Sequence, residues 1–424
     1  MPPERPAAVA GAGRRIFADF DGFRAIAAVS IAVFHVAFLS GVGLRHKVFG
    51  LFLARLDVGV SLFFVISGFL LYRPFVAAHL AGQPGPDVRR FLTRRLLRIV
   101  PAYWVVFGVV VVLGLKSVGG PADIAVYLGF LQIYDSHHLG GGISQAWSLC
   151  TELTFYFALP LYGAVAGRLA AGAKTATAVR RELVCVAVLY VAGIGLRAAI
   201  AFGDLRAPVD PRLDWLPATM DLFALGMALA ILSAWSDTPG HPVGRWESAL
   251  AQATSRVWLC WGAATVAYVV VATVVFGTGD LGRAFTPVQV VAREVLYGVI
   301  GLLVIAPGAI GDRSRRPGVA RAVLRSRPAV ALGVVSYSVY LTHNAVLDAI
   351  IRHYRFRPLH TAFPTLLVAT AAGTVGVSTI TYLLVERPAM RMKRRLSAGD
   401  GDGEPGARAT AGVPLTDART AVRR

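Results

Sequence analysis

The stretch "FRAIAAVSIAVFH", from Phe23 to His35, is apolar enough to cross a membrane, yet it carries Arg24 near its start and His35 at its end. The two residues are 11 positions apart, which at about 100° per residue is within about 20° of three full helical turns. They therefore share one helix face, roughly 16 Å apart along the axis. Since ionisable side chains facing lipid are costly, this face is expected to line a protein interior or a wet cavity. The alternative is an arginine that reaches the membrane surface and a histidine that bonds to one neighbouring helix.

The composition places the whole chain in the membrane class. Of its 424 residues, 55% are hydrophobic and only 16% are charged, whereas soluble domains are about a quarter charged. We therefore predict an all-α polytopic membrane protein. About ten apolar runs are long enough to span a bilayer, at 22–40, 58–78, 99–115, 147–167, 182–201, 215–236, 257–277, 289–310, 329–351 and 363–385.

An eleventh apolar run, 122–134, is shorter, and we interpret it as a re-entrant or interfacial segment. With the N-terminus in the cytosol, the predicted cytosolic segments then carry more than twice as many Lys and Arg residues as the outer ones, as the positive-inside rule requires. Both termini are thus predicted to be cytosolic, with tails at 1–16 and 396–424 around a membrane domain at 17–395. Because the net charge of +19 follows this topology, we do not expect a nucleic-acid partner.

Several ionisable residues fall at one depth of the predicted bundle. Glu152 lies about five residues below the outer surface, roughly 8 Å, and His35 is about as deep. Scattered structural polar residues would not share a depth, so a polar cavity is predicted in the outer half of the membrane. Its candidate residues are His35, Asp57, Glu152, Asp221, Arg293, Glu294 and His343.

The predicted cytosolic side is different because it is rich in arginine. The segment "RRFLTRRLLRIVPAYW" holds Arg94 and Arg98 at i,i+4 spacing, which places them on one helix face. Two interpretations stay open at this point. The arginines could anchor the helix to anionic lipid head groups, or they could bind the phosphates of a donor molecule.

Four motifs together resemble acyltransferase family 3, a family of integral membrane O-acyltransferases. They are "FDGFRAIAAVSIAVFH", "GVSLFFVISGFLL", "FLTRRLLRIVPAYW" and "WSLCTELTFY", with "SYSVYLTH" as a weaker fifth. The similarity covers about residues 17–395. Many family members append an extracytoplasmic SGNH hydrolase-like domain. Since only about 30 residues follow the last predicted span, we expect this chain to act without one.

The resemblance implies the transfer of an acyl group, most often acetyl, from acyl-CoA to a hydroxyl group. It implies His35 as catalytic base or acyl carrier, with Glu152 orienting its ring. The resemblance also suggests that the donor is held by Arg24, Arg94, Arg98 and Tyr103, and that no metal takes part. Candidates for the acceptor side, or for support of the catalytic residues, are Asp57, Trp147, Ser148, Tyr156, Asp221, Arg293 and His343.

The expected acceptor is a glycan, a glycolipid or a secreted metabolite, and the other expected partners are membrane lipids. The expected location is the inner (plasma) membrane of a bacterium. The alternative function is a proton-coupled transporter or flippase, which would also place ionisable residues in the membrane. A transporter does not explain why arginines concentrate at one side only.

Overall fold

The structure is a computed structural model that describes residues 17–203, 210–238, 244–280, 283–310, 318–357, 359–360 and 362–392. The predicted tails at 1–16 and 396–424 lie outside these ranges. The described residues form α-helices joined by short turns and contain no β-strand. The α-helices are α1 (Asp19–Ser40), α2 (Val42–Arg45), α3 (Lys47–Leu53), α4 (Val58–Leu80), α5 (Val88–Val112), α6 (Pro121–Leu128), α7 (Trp147–Ala170), α8 (Thr175–Gly203), α9 (Leu216–Ser236), α10 (Arg245–Ser255), α11 (Val257–Val270), α12 (Pro287–Ala309), α13 (Val319–Leu324), α14 (Arg327–Val334), α15 (Ser336–His353) and α16 (Phe363–Thr381).

Nine helical segments in the described part of the chain are long and apolar enough to cross a membrane. A tenth candidate is the pair α14 and α15, which is bent by 72° at its junction. Each of these segments overlaps one of the ten predicted runs, so the predicted all-α polytopic fold is confirmed. The orientation of the termini stays a prediction.

The eleventh apolar run forms the short helix α6 followed by a 3-10 turn at Gln132–Tyr134. Eight residues of α-helix span about 12 Å, whereas the hydrocarbon layer is about 30 Å thick. This segment is therefore too short to cross the membrane, as the sequence predicted.

The two ends of the bundle differ in charge. We call the end that carries Asp19 and the arginines of α5 and α13 the basic end, and the other the opposite end. At the basic end, Arg321 and Arg325 both bind the buried Asp19 carboxylate, and the Arg321 Nε distance is 2.8 Å. At the opposite end, α1 stops at Gly41, whose φ of 70° caps the helix. A Cβ atom at Gly41 would lie 2.3 Å from the Leu359 carbonyl oxygen, so the close approach of these segments also requires glycine.

Helices α4 and α9 form the centre of the bundle and pack backbone to backbone. A Cβ atom at Gly68 would lie 2.2 Å from the Phe223 carbonyl oxygen, and one at Gly226 would lie 2.1 Å from that of Val65. Small residues let membrane helices approach this closely. Helices α1, α7, α8 and α12 pack around this pair, and α15 packs on α1. Beyond the bend at Val335, α15 packs beside α1 and α5.

Candidate active site

A cavity of about 400 Å³ lies in the half of the bundle nearer the opposite end. We call it the histidine cavity because His35 contributes to its wall. Asp57, Arg293 and Trp147 also line it, as predicted. Glu294, which was predicted to lie in this polar layer, lines it too. Other residues in its wall were not predicted from the sequence: Phe34, Phe64, Arg197, Asp210, Asp214, Phe285, Tyr297 and Tyr340 among them. The predicted polar cavity therefore exists, but its lining is only partly the predicted one.

His35 is held by His343, which reaches it from α15. The Nε2 atom of His343 lies 3.1 Å from Nδ1 of His35. The other nitrogen of His343, Nδ1, lies 3.1 Å from the Val339 carbonyl oxygen, and Nδ1 of His35 lies 2.9 Å from that of Ile31. A carbonyl oxygen can only accept a hydrogen bond, so both Nδ1 atoms carry hydrogen.

These contacts assign the tautomers of the two rings. Since neutral His343 is protonated at Nδ1, its Nε2 has a lone pair and accepts from the Nδ1–H group of His35. Neutral His35 then has its own lone pair on Nε2. His343 is fully buried and contacts His35 without lining the cavity. As seen from the cavity, His343 therefore lies behind His35.

Charged residues opposite His35 form a second group in the same cavity. Asp57 accepts a hydrogen bond from the Tyr297 hydroxyl group and lies 3.5 Å from Nη1 of Arg293. The Nε atom of Arg293 is buried and has no hydrogen-bond partner among the described residues. This part of the wall therefore offers an arginine and a carboxylate to a polar ligand.

A buried ion pair forms another part of the cavity wall. Arg197 contacts Glu294 at 3.1 Å and donates hydrogen bonds to the carbonyl groups of Ala218 and Leu213. Asp221, which was predicted as a site residue, is fully buried beside this pair. It does not line the cavity, and neither of its carboxylate oxygens has a partner in the described structure. The sequence signal for Arg197 was its position inside the predicted span 182–201, where a charge is expensive.

A second and much smaller cavity, of about 60 Å³, lies nearer the basic end. We call it the arginine cavity because Arg24, Arg95 and Arg98 line it. Arg24 lies 3.5 Å from Asp21, and Arg98 makes no hydrogen bond to a described residue. Three guanidinium groups converging on one small space favour an anionic ligand. Arg24 and His35 thus share a helix, as predicted, but each faces a different cavity.

The prediction that Glu152 orients His35 is wrong, because Glu152 lines the arginine cavity instead. Its Oε1 accepts hydrogen bonds from Ser67 and Tyr156, both at 2.7 Å. Ser148, Glu152 and Tyr156 recur every four residues and form one stripe of α7 that faces α4 and α5. The prediction placed Glu152 at the depth of His35, whereas the structure places it with Arg24, Arg95 and Arg98 in the cavity nearer the basic end.

Two predictions for donor-binding residues also need correction. Arg95, rather than Arg94, lines the arginine cavity together with Arg98. Tyr103 lies five residues after Arg98, a rotation of about 140° away from the cavity. It is fully buried, donates a hydrogen bond of 3.0 Å to the Tyr127 carbonyl group and packs against Phe130. Tyr103 therefore belongs to the packing core.

The two cavities share a wall made by Phe64 and Tyr340, which line both. The Tyr340 hydroxyl group donates to the Gln145 carbonyl group at 2.7 Å and lies 2.6 Å from Oγ of Ser148. The Phe64 ring stacks on Phe223. These two side chains separate the arginines at the basic end from the histidine at the other.

Glu386 is a further buried residue that sequence reasoning missed. It ends the π-helix Tyr382–Glu386, accepts a hydrogen bond of 2.8 Å from Ser338 and interacts electrostatically with Arg98 and Arg24. A π-helical turn inside a span is frequently found at a functional position. The sequence signal for Glu386 was a carboxylate directly after the predicted run 363–385, in the stretch "LLVERP".

Comparison with known proteins identifies the family. The model of acyltransferase family 3, described as an acyltransferase domain, matches residues 17–383. Putative membrane-bound transacylase BcsY of Komagataeibacter xylinus is 26% identical over 402 residues, which are 89% of this chain and 84% of that protein. Nodulation protein 10 of Rhizobium leguminosarum bv. viciae is 24% identical over 363 residues, 80% of this chain and 84% of that protein.

Peptidoglycan O-acetyltransferase OatA of Listeria monocytogenes is 24% identical over 246 residues. The match covers 54% of this chain but only 36% of the Listeria protein. No solved structure matches the chain. Since the family model covers most of its length, the chain belongs to acyltransferase family 3 and is a membrane acyltransferase.

Proposed function

We propose that this protein transfers a short acyl group, acetyl in the simplest case, from acyl-CoA to a hydroxyl group of a carbohydrate. The donor enters from the basic end, which faces the cytosol, and the acceptor occupies the histidine cavity. The protein lies in the inner membrane of a bacterium. The printed names of the relatives, a peptidoglycan O-acetyltransferase and a membrane-bound transacylase, support an acyl transfer of this kind.

The observation that carries the proposal is the pair of histidines in the membrane. His343 receives the Nδ1–H group of His35 at 3.1 Å, and its own Nδ1–H is held by a backbone carbonyl group. His35 is thereby fixed with its lone pair on Nε2. An imidazole fixed in this form is suited to accept a proton from a hydroxyl group.

The reaction follows from that lone pair. Nε2 of His35 takes the hydroxyl proton as the acceptor oxygen attacks the thioester carbonyl carbon. The new carbon–oxygen bond forms an oxyanion, which collapses and breaks the carbon–sulfur bond. The coenzyme A thiolate leaves and takes the proton back from His35, so the products are an ester and free coenzyme A. His343 accepts a hydrogen bond throughout and keeps the ring oriented, the role that the carboxylate has in other catalytic histidine pairs.

The cavity lining supports a sugar as acceptor. Phe34, Trp147 and Phe285 present aromatic surface, and Asp57 and Asp214 present carboxylates. Ligand sites that combine apolar walls with a few placed polar groups can orient one hydroxyl group among several. The volume of about 400 Å³ suits one or two sugar units rather than a polymer chain.

The donor path passes through the arginine cavity. Arg24, Arg95 and Arg98 supply planar donor groups that match phosphate oxygens. The acyl end of the donor must then pass Phe64 and Tyr340 to reach His35. We infer that these two side chains rotate aside when the donor binds.

Sided membrane vesicles test the proposal. Acyl-CoA is charged and does not cross a bilayer, so vesicles with the cytosolic face outward should release free coenzyme A from added acetyl-CoA. Intact vesicles of the other orientation should do so only after permeabilisation. Consumption of acetyl-CoA by the intact, oppositely oriented vesicles would contradict a cytosolic donor site.

A further inference from the structure

A crevice of about 770 Å³ opens at the basic end, between the last turn of α4, the loop that leads to α5, the second half of α7 and the start of α8. Small residues make much of its wall, including Gly82, Gly163 and Gly167. Helices α4, α5 and α7 also line the arginine cavity. On α4 the crevice begins at Phe75, about one turn beyond Leu71 of the arginine cavity. The crevice is thus the next space toward the cytosol along the same three helices.

A buried histidine–glutamate pair lies in the crevice wall. Glu182 is 1% exposed, and its Oε1 lies 2.6 Å from Nδ1 of His79. Its other oxygen accepts a hydrogen bond from the Tyr72 hydroxyl group. A carboxylate accepts only, so Nδ1 of His79 carries hydrogen.

His79 itself lines the crevice. Its side chain is only 9% exposed, yet its Nε2 makes no hydrogen bond to a described residue. A Cβ atom added at Gly167 would lie 2.7 Å from this Nε2, so the close approach of the His79 ring to α7 requires glycine. Arg168, an exposed arginine, lines the same crevice. The His79 ring and the Arg168 side chain therefore line the same space.

The arginine cavity and the crevice, both at the basic end, differ in size and can therefore hold different parts of a ligand. A buried water needs roughly 10–15 Å³ of such space, so the arginine cavity, at about 60 Å³, has room for a narrow chain or a single anionic group. It cannot take a purine and a ribose. The crevice, at about 770 Å³, can.

We propose that the crevice binds the adenosine 3′-phosphate end of the acyl-CoA donor, with Nε2–H of His79 and the guanidinium group of Arg168 on the 3′-phosphate. The inference rests on the proposed function, because it takes acyl-CoA as the donor. Glu182 accepts a hydrogen bond from Nδ1–H of His79, and the Tyr72 hydroxyl group holds Glu182 in place. The diphosphate then lies toward Arg95 and Arg98, and the pantetheine arm runs on toward Phe64 and Tyr340.

Two donors that differ only in the 3′-phosphate test this assignment. Purified protein in nanodiscs should use acetyl-CoA with a KM about tenfold below that for acetyl-3′-dephospho-CoA, the effect of one charge-assisted hydrogen bond. His79→Ala should raise the KM for acetyl-CoA about tenfold and leave the KM for the dephospho donor and both kcat values unchanged. Gly167→Ala should act in the same way, because its methyl group covers Nε2. Gly195→Ala is the matched control, since a Cβ atom there meets nothing within 4 Å.

Retention of the donor preference in both variants would overturn the assignment. A binding measurement separates that failure from a failure of the proposed function. By calorimetry, adenosine 3′,5′-bisphosphate should bind wild-type protein, adenosine 5′-monophosphate should bind much more weakly, and His79→Ala should remove the difference. If the bisphosphate binds in this way but acetyl-CoA is not consumed, the nucleotide site stands and the acyl-transfer proposal fails. If the bisphosphate does not bind, or inorganic phosphate or anionic lipid displaces it at equal concentration, the nucleotide assignment is wrong.

Discussion

The Nε2 atom of His343 lies 3.1 Å from Nδ1 of His35, on a helix that begins at the bend after Val334. The Nδ1 atom of each ring is also hydrogen-bonded to a backbone carbonyl oxygen of its own helix. A histidine in this position replaces the carboxylate that the sequence suggested as the orienting group. It provides orientation without adding a charge to the membrane interior, where an unpaired charge is expensive.

His343→Phe should lower kcat by about 10²-fold with little change in the donor KM, because the His35 ring loses the side-chain acceptor that helps the Ile31 carbonyl group hold it in place. His343→Gln should keep kcat within about tenfold of wild type, since an amide oxygen can accept from Nδ1–H of His35. Steady-state kinetics of the two purified variants, matched for thermal stability, provide the comparison. Equal losses in both variants would show that His343 acts only through packing.

The effect of replacing an arginine of α5 should depend on whether that arginine lines the arginine cavity. Arg95→Ala and Arg98→Ala should each raise the KM for acyl-CoA by about tenfold or more, because each removes a charge-assisted donor from the arginine cavity. Arg94→Ala should have a smaller effect, and Arg89→Ala is the control at the start of the helix. The measurement is the donor KM at fixed acceptor concentration. Small and equal effects at all four positions would support the lipid head-group interpretation instead.

Glu152→Gln tests the corrected place of this carboxylate. Since Glu152 lies among the arginines, the substitution should change the donor KM by about fivefold or more and kcat by less. Its effect on kcat should be additive with that of His343→Phe, because the two residues serve different cavities. A double-mutant cycle in kcat measures this. Strong coupling between the two substitutions would restore Glu152 as a partner of His35.

The loop at the opposite end should respond to pH through His138. Its ring lies between Asp123 and Asp135, at 2.8 and 2.9 Å. The hydrogen bond to Asp123 raises the pKa of His138, against the opposing effect of desolvation. The hydrogen bond from His138 in turn lowers the pKa of Asp123.

The direction of the pH effect follows from these shifts. The stabilisation from His138 is fully present below about pH 6.5 and is lost as pH rises through its raised pKa. The stabilisation from Asp123 is fully present above about pH 3.9 and is lost as pH falls through the lowered pKa of Asp123. Amide hydrogens of α6 should therefore be better protected from exchange at about pH 6 than at about pH 8.5, after correction for intrinsic rates. The difference should vanish in His138→Asn, and a difference that persists there would assign it to another group.

The sequence predicted the helices well because a bilayer imposes length and apolarity on each span separately. The ten runs and the non-spanning segment at 122–134 both follow from local rules. The partners of Glu152 and His343 could not be predicted in this way. Depth along the membrane normal follows from counting residues, whereas rotation of a helix about its axis depends on its neighbours. The bend after Val334 also had no clear signal, and it decides which residues of α15 meet α1.

The most direct test of the central claim is acyl transfer by His35→Gln in membranes of the source bacterium. A strain lacking the protein is complemented with wild-type or variant chain, and its vesicles, cytosolic face outward, receive acetyl-CoA radiolabelled in the acetyl group. Label in membrane or glycan material is counted at equal expression, with His137→Gln as a histidine control outside the cavity. The account predicts wild-type labelling for the control and a loss of between about 10²- and 10⁴-fold for His35→Gln. Labelling at the wild-type rate by His35→Gln would contradict it.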